Sequence, residues 1–298
     1  MKKSAYLLII LALGATWAVA QAAYPVVTHT PYPVVEKEQI QKTLEFRDTS
    51  RPGSLSLDNV WGSITVEATS GREVGLAATR TIRAESKDKL EKAKSEVKLD
   101  ISETADGLEI YVDGPFRCHC QDGHGRKDRD LGYEVAYDFV LKVPRSTHLK
   151  LKTITDGNIL VRGVQNGFKA QNVNGGVKLV DVAGAGEART VNGNVTVDFV
   201  RNPEADCSFS TVSGRVELGF QPRLSADFRL KSFTGEALTD FELKSLPDVE
   251  TAAQRSEKGG RFVYKRDRFT RVRAGQGGPL ITCETLSGKI IIKKYEAR

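Results

Sequence analysis

Phe168-Lys-Ala-Gln-Asn-Val-Asn-Gly175-Gly-Val-Lys-Leu179 is followed eighteen residues later by Gly186-Glu-Ala-Arg-Thr-Val-Asn-Gly193-Asn-Val-Thr-Val197. The unit returns as Cys207-Ser-Phe-Ser-Thr-Val-Ser-Gly214-Arg-Val-Glu-Leu218, Phe228-Arg-Leu-Lys-Ser-Phe-Thr-Gly235-Glu-Ala-Leu-Thr239 and Ile281-Thr-Cys-Glu-Thr-Leu-Ser-Gly288-Lys-Ile-Ile-Ile292. An early copy, Leu55-Ser-Leu-Asp-Asn-Val-Trp-Gly62-Ser-Ile-Thr-Val66, fits the same template. Leu149 to Val161 fits around Gly157 with one extra residue near Thr155, which reads as a bulge. Counted from the glycine, apolar residues dominate −7, −5, −2, +2 and +4, and small polar residues dominate −3 and −1. A period near twenty residues with strand chemistry signals a repeat array.

Asn-Gly between alternating apolar residues is ordinarily a hairpin signal. A two-residue hairpin here would set −3 opposite +2 and −2 opposite +1, pairing polar with apolar residues on one face, so that register fails. An arc, with each strand pairing to its equivalent in the next repeat, places −7, −5, −2, +2 and +4 inside together. Like then stacks on like at ~4.8 Å, allowing ladders of Asn172, Thr190, Thr211 and Ser232 and of Asn174, Asn192, Ser213 and Thr234. The expected fold is all-β: a parallel β-solenoid-like array with one amphipathic helix inserted near its N-terminal part. An antiparallel β-sandwich is the alternative.

Outside the array, Lys2 and Lys3 precede an apolar run and the small residues Ala18, Val19 and Ala20, the pattern of a cleaved export signal over 1–20. The run is shorter than a membrane span requires, so no integral membrane segment is expected after signal removal. Residues 21–40 contain Tyr24-Pro25-Val26-Val27 and again Tyr32-Pro33-Val34-Val35, an extended Pro-containing tether. Residues 41–148 form an N-terminal β-rich part. Within it, 84–97 reads as a helix burying Leu90, Ala93 and Val97, with Lys87/Glu91 and Lys92/Glu96 as i,i+4 pairs. Residues 149–298 hold the array, with a basic insertion at about 241–275.

Chemistry-bearing residues are few. Cys118, Cys120 and His124 lie together in a Gly-rich loop, where thiolates and an imidazole suit Cu(I) or Zn; a disulfide or a loop without chemistry are the competing readings. Cys207 and Cys283 occupy inward repeat positions and read as buried thiols. All four His precede the array, and its outward columns gather no neighbouring carboxylates, so catalysis on that surface has no visible carrier. No phosphate-loop or other cofactor motif is present, and no cofactor is expected. Trp61, at −1 of the early copy, is expected to pack against the tether or a neighbouring strand rather than serve as a binding hot spot.

The chain has 298 residues and a formal net charge of +6, and the location of that charge matters more than its total. Lys2 and Lys3 leave with the signal. Lys258, Arg261, Lys265, Arg266, Arg268, Arg271 and Arg273 face only Asp267 within one stretch, so the rest of the mature chain is neutral to slightly acidic. Phe262, Tyr264 and Phe269 interleave with these charges. In an exported protein, lipid phosphates or acidic glycans are the expected anions for Arg261, Lys265, Arg266, Arg268, Arg271 and Arg273, and not nucleic acid.

The export signal, the strand Tyr133 to Pro144 ending in Val-Pro, the Asn-Gly and Ser-Gly units and the closing Gly275-Gln-Gly-Gly-Pro-Leu-Ile-Thr-Cys-Glu-Thr-Leu-Ser-Gly288 resemble the bacterial adhesin-like β-strand-repeat family over about residues 40–298. That resemblance implies the fold and brings no catalytic residues. The expected function is an exported, non-enzymatic adhesin-like or scaffold protein, periplasmic, secreted or on the cell surface. Its partner would be an envelope polymer, a glycan or a surface protein. The alternative is a carbohydrate-active β-solenoid enzyme acting on an acidic polysaccharide.

Overall fold

The computed structural model describes residues 32–48, 50–104, 107–117, 131–247, 254–258, 261–265 and 269–295; for the strands 254–258 and 261–265 only the backbone is described. These residues lie in one compact unit, Tyr32–Arg298. The candidate ligands Cys118, Cys120 and His124, and the basic residues Arg266 and Arg268, lie outside the described residues, as does the 1–20 signal.

Two large mixed sheets face each other, and neither closes into a barrel. The ten-stranded sheet runs, in spatial order, Val34–Leu44, Val74–Ala84, Tyr133–Pro144, Ile64–Thr69, Ile159–Arg162, Val177–Val182, Val195–Phe199, Val216–Phe220, Ile290–Lys294 and Ala237–Thr239. The eleven-stranded sheet runs Leu243–Ser245, Thr270–Ala274, Ala226–Ser232, Leu280–Ser287, Cys207–Ser213, Gly186–Arg189, Phe168–Gln171, His148–Lys152, Ser54–Asp58, Gly107–Asp113 and Lys98–Thr104. Gln254–Lys258 and Arg261–Lys265 pair antiparallel as a separate two-stranded sheet inside the basic insertion.

Each repeat contributes one strand to each sheet, joined by a bend at its glycine; we call such a unit a rung. Rungs pair in parallel and in register. Phe168 lies beside Gly186 and Leu149 in the larger sheet, and Val177 beside Val195 and Ile159 in the other. This is the like-on-like pairing of the arc, and it excludes the hairpin within each copy.

The order of the rungs departs from the order of the sequence. Leu280–Ser287 pairs with Cys207–Ser213 on one side and Ala226–Ser232 on the other, and Ile290–Lys294 lies between Val216–Phe220 and Ala237–Thr239. In space the glycines therefore run 62, 157, 175, 193, 214, 288, 235. The final rung sits inside the array, one place before the rung that precedes it in sequence.

Apolar side chains at −7, −5, +2 and +4 fill the space between the sheets. Phe199 stacks on Phe220 with ring centroids 5.2 Å apart and meets Phe209 edge-on at 6.2 Å, and Phe220 meets Phe228 edge-on at 5.9 Å. Burying side chains of this size stabilises by roughly 1.5–3 kcal/mol each.

The helix spans Lys87–Glu96. Ser86 caps its N-terminus by accepting from the Lys89 N–H, and the Val97 N–H closes the last turn on the Ala93 carbonyl. Leu90, Ala93 and Val97 are buried as expected, against Val74–Ala84 and Tyr133–Pro144. Lys92–Glu96 forms at 3.7 Å, while Glu91 pairs with Lys94 at 3.0 Å. Ala84 itself ends the preceding strand. Residues 34–40 of the expected tether belong instead to the strand Val34–Leu44, which pairs antiparallel with Val74–Ala84 along its full length, and residues 21–31 lie outside the described residues. Among the described residues no helix is long and apolar enough to cross a membrane.

One inward position is corrected. From the Gly193 rung onward the apolar −2 residues lie outside, with Val191 38%, Val212 43%, Leu286 53% and Phe233 80% exposed, whereas Val173 is half-buried and Val60 of the early copy is buried. The polar −3 residues Asn172, Thr190, Thr211 and Thr285 are buried instead. A pleated strand sends alternate residues to opposite faces, so −7, −5 and −3 share the inner face whatever their polarity. The buried polar groups are satisfied by the preceding rung in space: Thr190 Oγ1 donates to the Gly175 carbonyl at 2.7 Å, Thr211 to Gly193 at 2.8 Å and Thr285 to Gly214 at 3.0 Å. Asn172 Nδ2 donates to Gly157 and Thr153 Oγ1 to Gly62, each at 2.8 Å, and Ser232 Oγ to Gly288 at 2.9 Å. The expected −3 ladder is thus a chain of side chain to carbonyl bonds between rungs. In the −1 column, Asn192 Nδ2 donates to Asn174 Oδ1 at 2.8 Å.

These carbonyls also dictate the glycines. A Cβ on Gly193 would press against the Gly175 carbonyl, and one on Gly288 against that of Gly214. The extra residue in the Gly157 rung is absorbed where Asp156 adopts φ 56 and the Ile154 and Thr155 N–H groups share the Val60 carbonyl.

Candidate functional site

Between the outward −4 and −2 positions the chain turns from one sheet toward the other. Stacking those turns produces a continuous groove of about 870 Å³ that crosses the rungs of Gly157 to Gly235. Its floor is the −3 row. One wall is the −4 column Gln171, Arg189, Ser210, Glu284 and Lys231, extended by Lys152, and the other is the −2 column Val173, Val191, Val212, Leu286 and Phe233.

The two walls differ in character. Four of the seven exposed large hydrophobic residues among those described, Val191, Val212, Phe233 and Leu286, stand in the −2 column. Together they form a row of exposed apolar side chains along one side of the groove. The opposite wall carries three cations, Lys152, Arg189 and Lys231, against the single carboxylate Glu284. Lys152 Nζ lies 3.2 Å from Asp58 Oδ2, and Arg189 Nε is 3.9 Å from Glu187.

Basic residues gather where this wall meets the insertion. The Arg229 guanidinium and the Lys231 ammonium lie over the Phe269 ring, at 4.1 Å and 5.0 Å from its centroid. Arg271 pairs across the strands with Arg229. Arg273 instead holds Asp227 by two bonds, Nε to Oδ1 at 2.6 Å and Nη2 to Oδ2 at 2.7 Å, which keep the Asp227 carboxyl below its ordinary range. Its charge is engaged within the protein. Of the other expected anion-binding residues, Arg261 and Lys265 lie in the two-stranded insertion sheet, whose backbone alone is described. Sequence reasoning missed Arg229, because its strand was read as a repeat and not as part of the basic segment. It missed the −2 wall because apolar residues were assigned to the interior on polarity alone.

Cys207 and Cys283 are buried free thiols, and burial pushes the Cys207 pKa up to about 11 and that of Cys283 upward too. Such groups are poor nucleophiles and metal ligands. Trp61 meets Phe116 edge-on at 4.7 Å, so its partner is the segment leading to Cys118. Among the described residues no group of three or more His, Cys, Asp or Glu is placed to hold a metal ion.

No protein-family model matches the chain, and no curated protein matches it. Solved structures do. The solved structures it resembles include adhesin-like bacterial proteins. A "putative cell adhesion protein" from Clostridium sporogenes is 8% identical, with a TM-score of 0.38, over 87% of this chain and 100% of that one. A "putative adhesin" from Bacteroides fragilis is 9% identical, TM-score 0.39, over 87% of this chain and 97% of its own. A "putative lipid binding protein" from Parabacteroides distasonis is 10% identical, TM-score 0.35, over 87% and 97%.

Proposed function

We propose that this chain is an exported, non-enzymatic, adhesin-like binding module, built as a two-sheet parallel solenoid, that holds an envelope or extracellular partner along the groove. The observation that carries this reading is the −2 column: Val191, Val212, Leu286 and Phe233 stand in register and exposed, which costs solubility unless something covers them. The N-terminal Lys2-Lys3 and apolar run support export. The groove carries one carboxylate, Glu284, whose cross-strand neighbour is Lys231, whereas polysaccharide hydrolysis ordinarily uses a carboxylate pair. Arg229, Lys231 and Arg271 supply the basic end of the binding face.

The test is the double variant Val191→Asp/Val212→Asp, which places charge on the apolar wall without entering the core. Surface retention and recovery of crosslinked envelope partners from intact cells should fall at least tenfold relative to wild type. The control is Val140→Asp, exposed on the ten-stranded sheet away from the groove. Equal loss in variant and control, or no loss in either, would overturn the assignment of binding to the groove.

A further inference from the structure

Resting on that reading of the groove as the binding face, we propose that its occupant is a single anionic single-chain lipid, with the chain along the −2 wall and the head at Arg229, Lys231 and Arg271.

The floor offers a ligand no free hydroxyl donor, which leaves polar contacts to the −4 wall alone. Thr153, Thr190, Thr211, Thr285 and Ser232 each donate their hydroxyl hydrogen to a glycine carbonyl of the adjacent rung. Asn172 is engaged three times, donating to the Gly157 and Gly176 carbonyls and accepting from the Val173 N–H at 2.8 Å. A peptide carbonyl or other acceptor laid on this floor finds its hydroxyl donors already committed, and an acceptor taken out of water without a partner weakens binding. A methylene chain loses nothing there.

The spacing decides against an extended peptide. Apolar side chains recur along the groove at the rung repeat of ~4.8 Å, while same-side residues of a β-strand recur at ~6.8 Å, so pockets and side chains fall out of register within two rungs. An acyl chain has no register to lose. The wall from Val173 to Phe233 crosses four rung intervals, or ~19 Å. One leaflet of a bilayer core is ~15 Å deep, so a membrane-lipid acyl chain fits the wall end to end.

Charge sets the direction. At the Phe233 end, Arg229, Lys231 and Arg271 stand against Glu284, and Phe269 lies beneath the first two. At the Val173 end, the cation Lys152 is paired with Asp58, which Arg117 also holds at 2.8 Å. The positive end is the one beside the insertion, where a carboxylate or phosphate head is favoured.

Displacement of a fluorescent polyene fatty acid from the intact mature protein tests this. Palmitate should displace it, hexadecanol at least tenfold more weakly, and affinity should rise with saturated chain length and level off near the span of the wall. Val191→Asp/Val212→Asp should abolish displacement by every chain. Arg229→Gln/Lys231→Gln should remove the preference for palmitate over hexadecanol while leaving hexadecanol unchanged. A flat chain-length series, or a double wall variant that still binds palmitate, overturns the proposal. So does binding only to anionic vesicles with no displacement by monomeric palmitate, which would make the face a membrane-surface site. If palmitate fails while the wall variant still loses its envelope partners, the lipid proposal falls and the groove remains the binding face. If both fail, both readings fall.

Discussion

Thr190 donates its hydroxyl to the Gly175 carbonyl at 2.7 Å, and Gly193, three residues after Thr190, passes so close to that same carbonyl that no side chain fits. One oxygen therefore fixes both the polar −3 residue and the glycine of the following rung. Thr190→Val should destabilise the protein by about 1–3 kcal/mol by leaving a buried acceptor unpaired, while Thr190→Ser should retain most of the stability. Gly193→Ala should cost more than Thr190→Val, because the rungs themselves must separate. Urea unfolding of the three variants checks the ranking, and an unchanged midpoint for Thr190→Val would remove the bond from any account of stability.

Lys293 bridges Glu217 at 2.8 Å and Asp198 at 3.5 Å. Its hydrogen bond holds the Glu217 pKa below the ordinary 4.5, whereas burial raises that of Asp198. A depressed carboxylate contributes stability that is present above its unfolded pKa and lost as pH falls through the folded one. Asp198 carries the opposite sign: its ionised form is the costly one. Lys293→Met should therefore destabilise by about 2 kcal/mol at neutral pH, with a deficit that narrows below about pH 4.5 as both carboxyls protonate. Thermal unfolding from pH 3 to pH 8 measures it, and a pH-independent deficit would refute the linkage.

Cys207 lies opposite Ile281 and Cys283 opposite Phe209, so the two thiols are diagonal neighbours, ~7–8 Å apart and beyond disulfide reach without backbone movement. In a Cys118→Ser/Cys120→Ser background, neither should react with iodoacetamide at pH 8 until the protein unfolds, and diamide should not join them. Mass spectrometry of native and guanidinium-treated protein reads both outcomes. Rapid alkylation of native Cys207 would show that its rung opens locally.

Removing residues 280–298 should do more than shorten the array. Cys207–Ser213 and Ala226–Ser232 share no direct pairing, since Leu280–Ser287 separates them. The truncated chain should lose protection over residues 226–245 as well as the deleted rung, and should aggregate through its newly open strand edges. Hydrogen exchange comparing full and truncated chains tests this. Protection of 226–245 that survives truncation would show that this rung can dock elsewhere.

Much of this architecture was legible in the residues. Asn174-Gly175 and Asn192-Gly193 were separable from hairpin turns because their flanks pair like with like only between copies, and Leu90, Ala93 and Val97 marked one buried helix face. The interior assignment of Val191 and Val212 failed because polarity was weighed above strand parity. Thr190 and Thr211 are polar yet inward, since a neighbouring carbonyl accepts their protons. The place of Gly288 inside the array was not legible, because every copy offers nearly the same apolar edge and sequence proximity alone favoured the Gly235 rung beside Gly214. Arg229 entered the basic end only through the pairing of its strand with Thr270–Ala274.

The internal position of the Gly288 rung also sets a clock. A chain that emerges N-terminus first presents the Gly214 and Gly235 rungs long before residues 280–295 exist to separate them. Residues 280–295 thus complete the groove between two rungs that precede them in sequence, and without them the −2 row from Val173 to Phe233 is interrupted at Leu286.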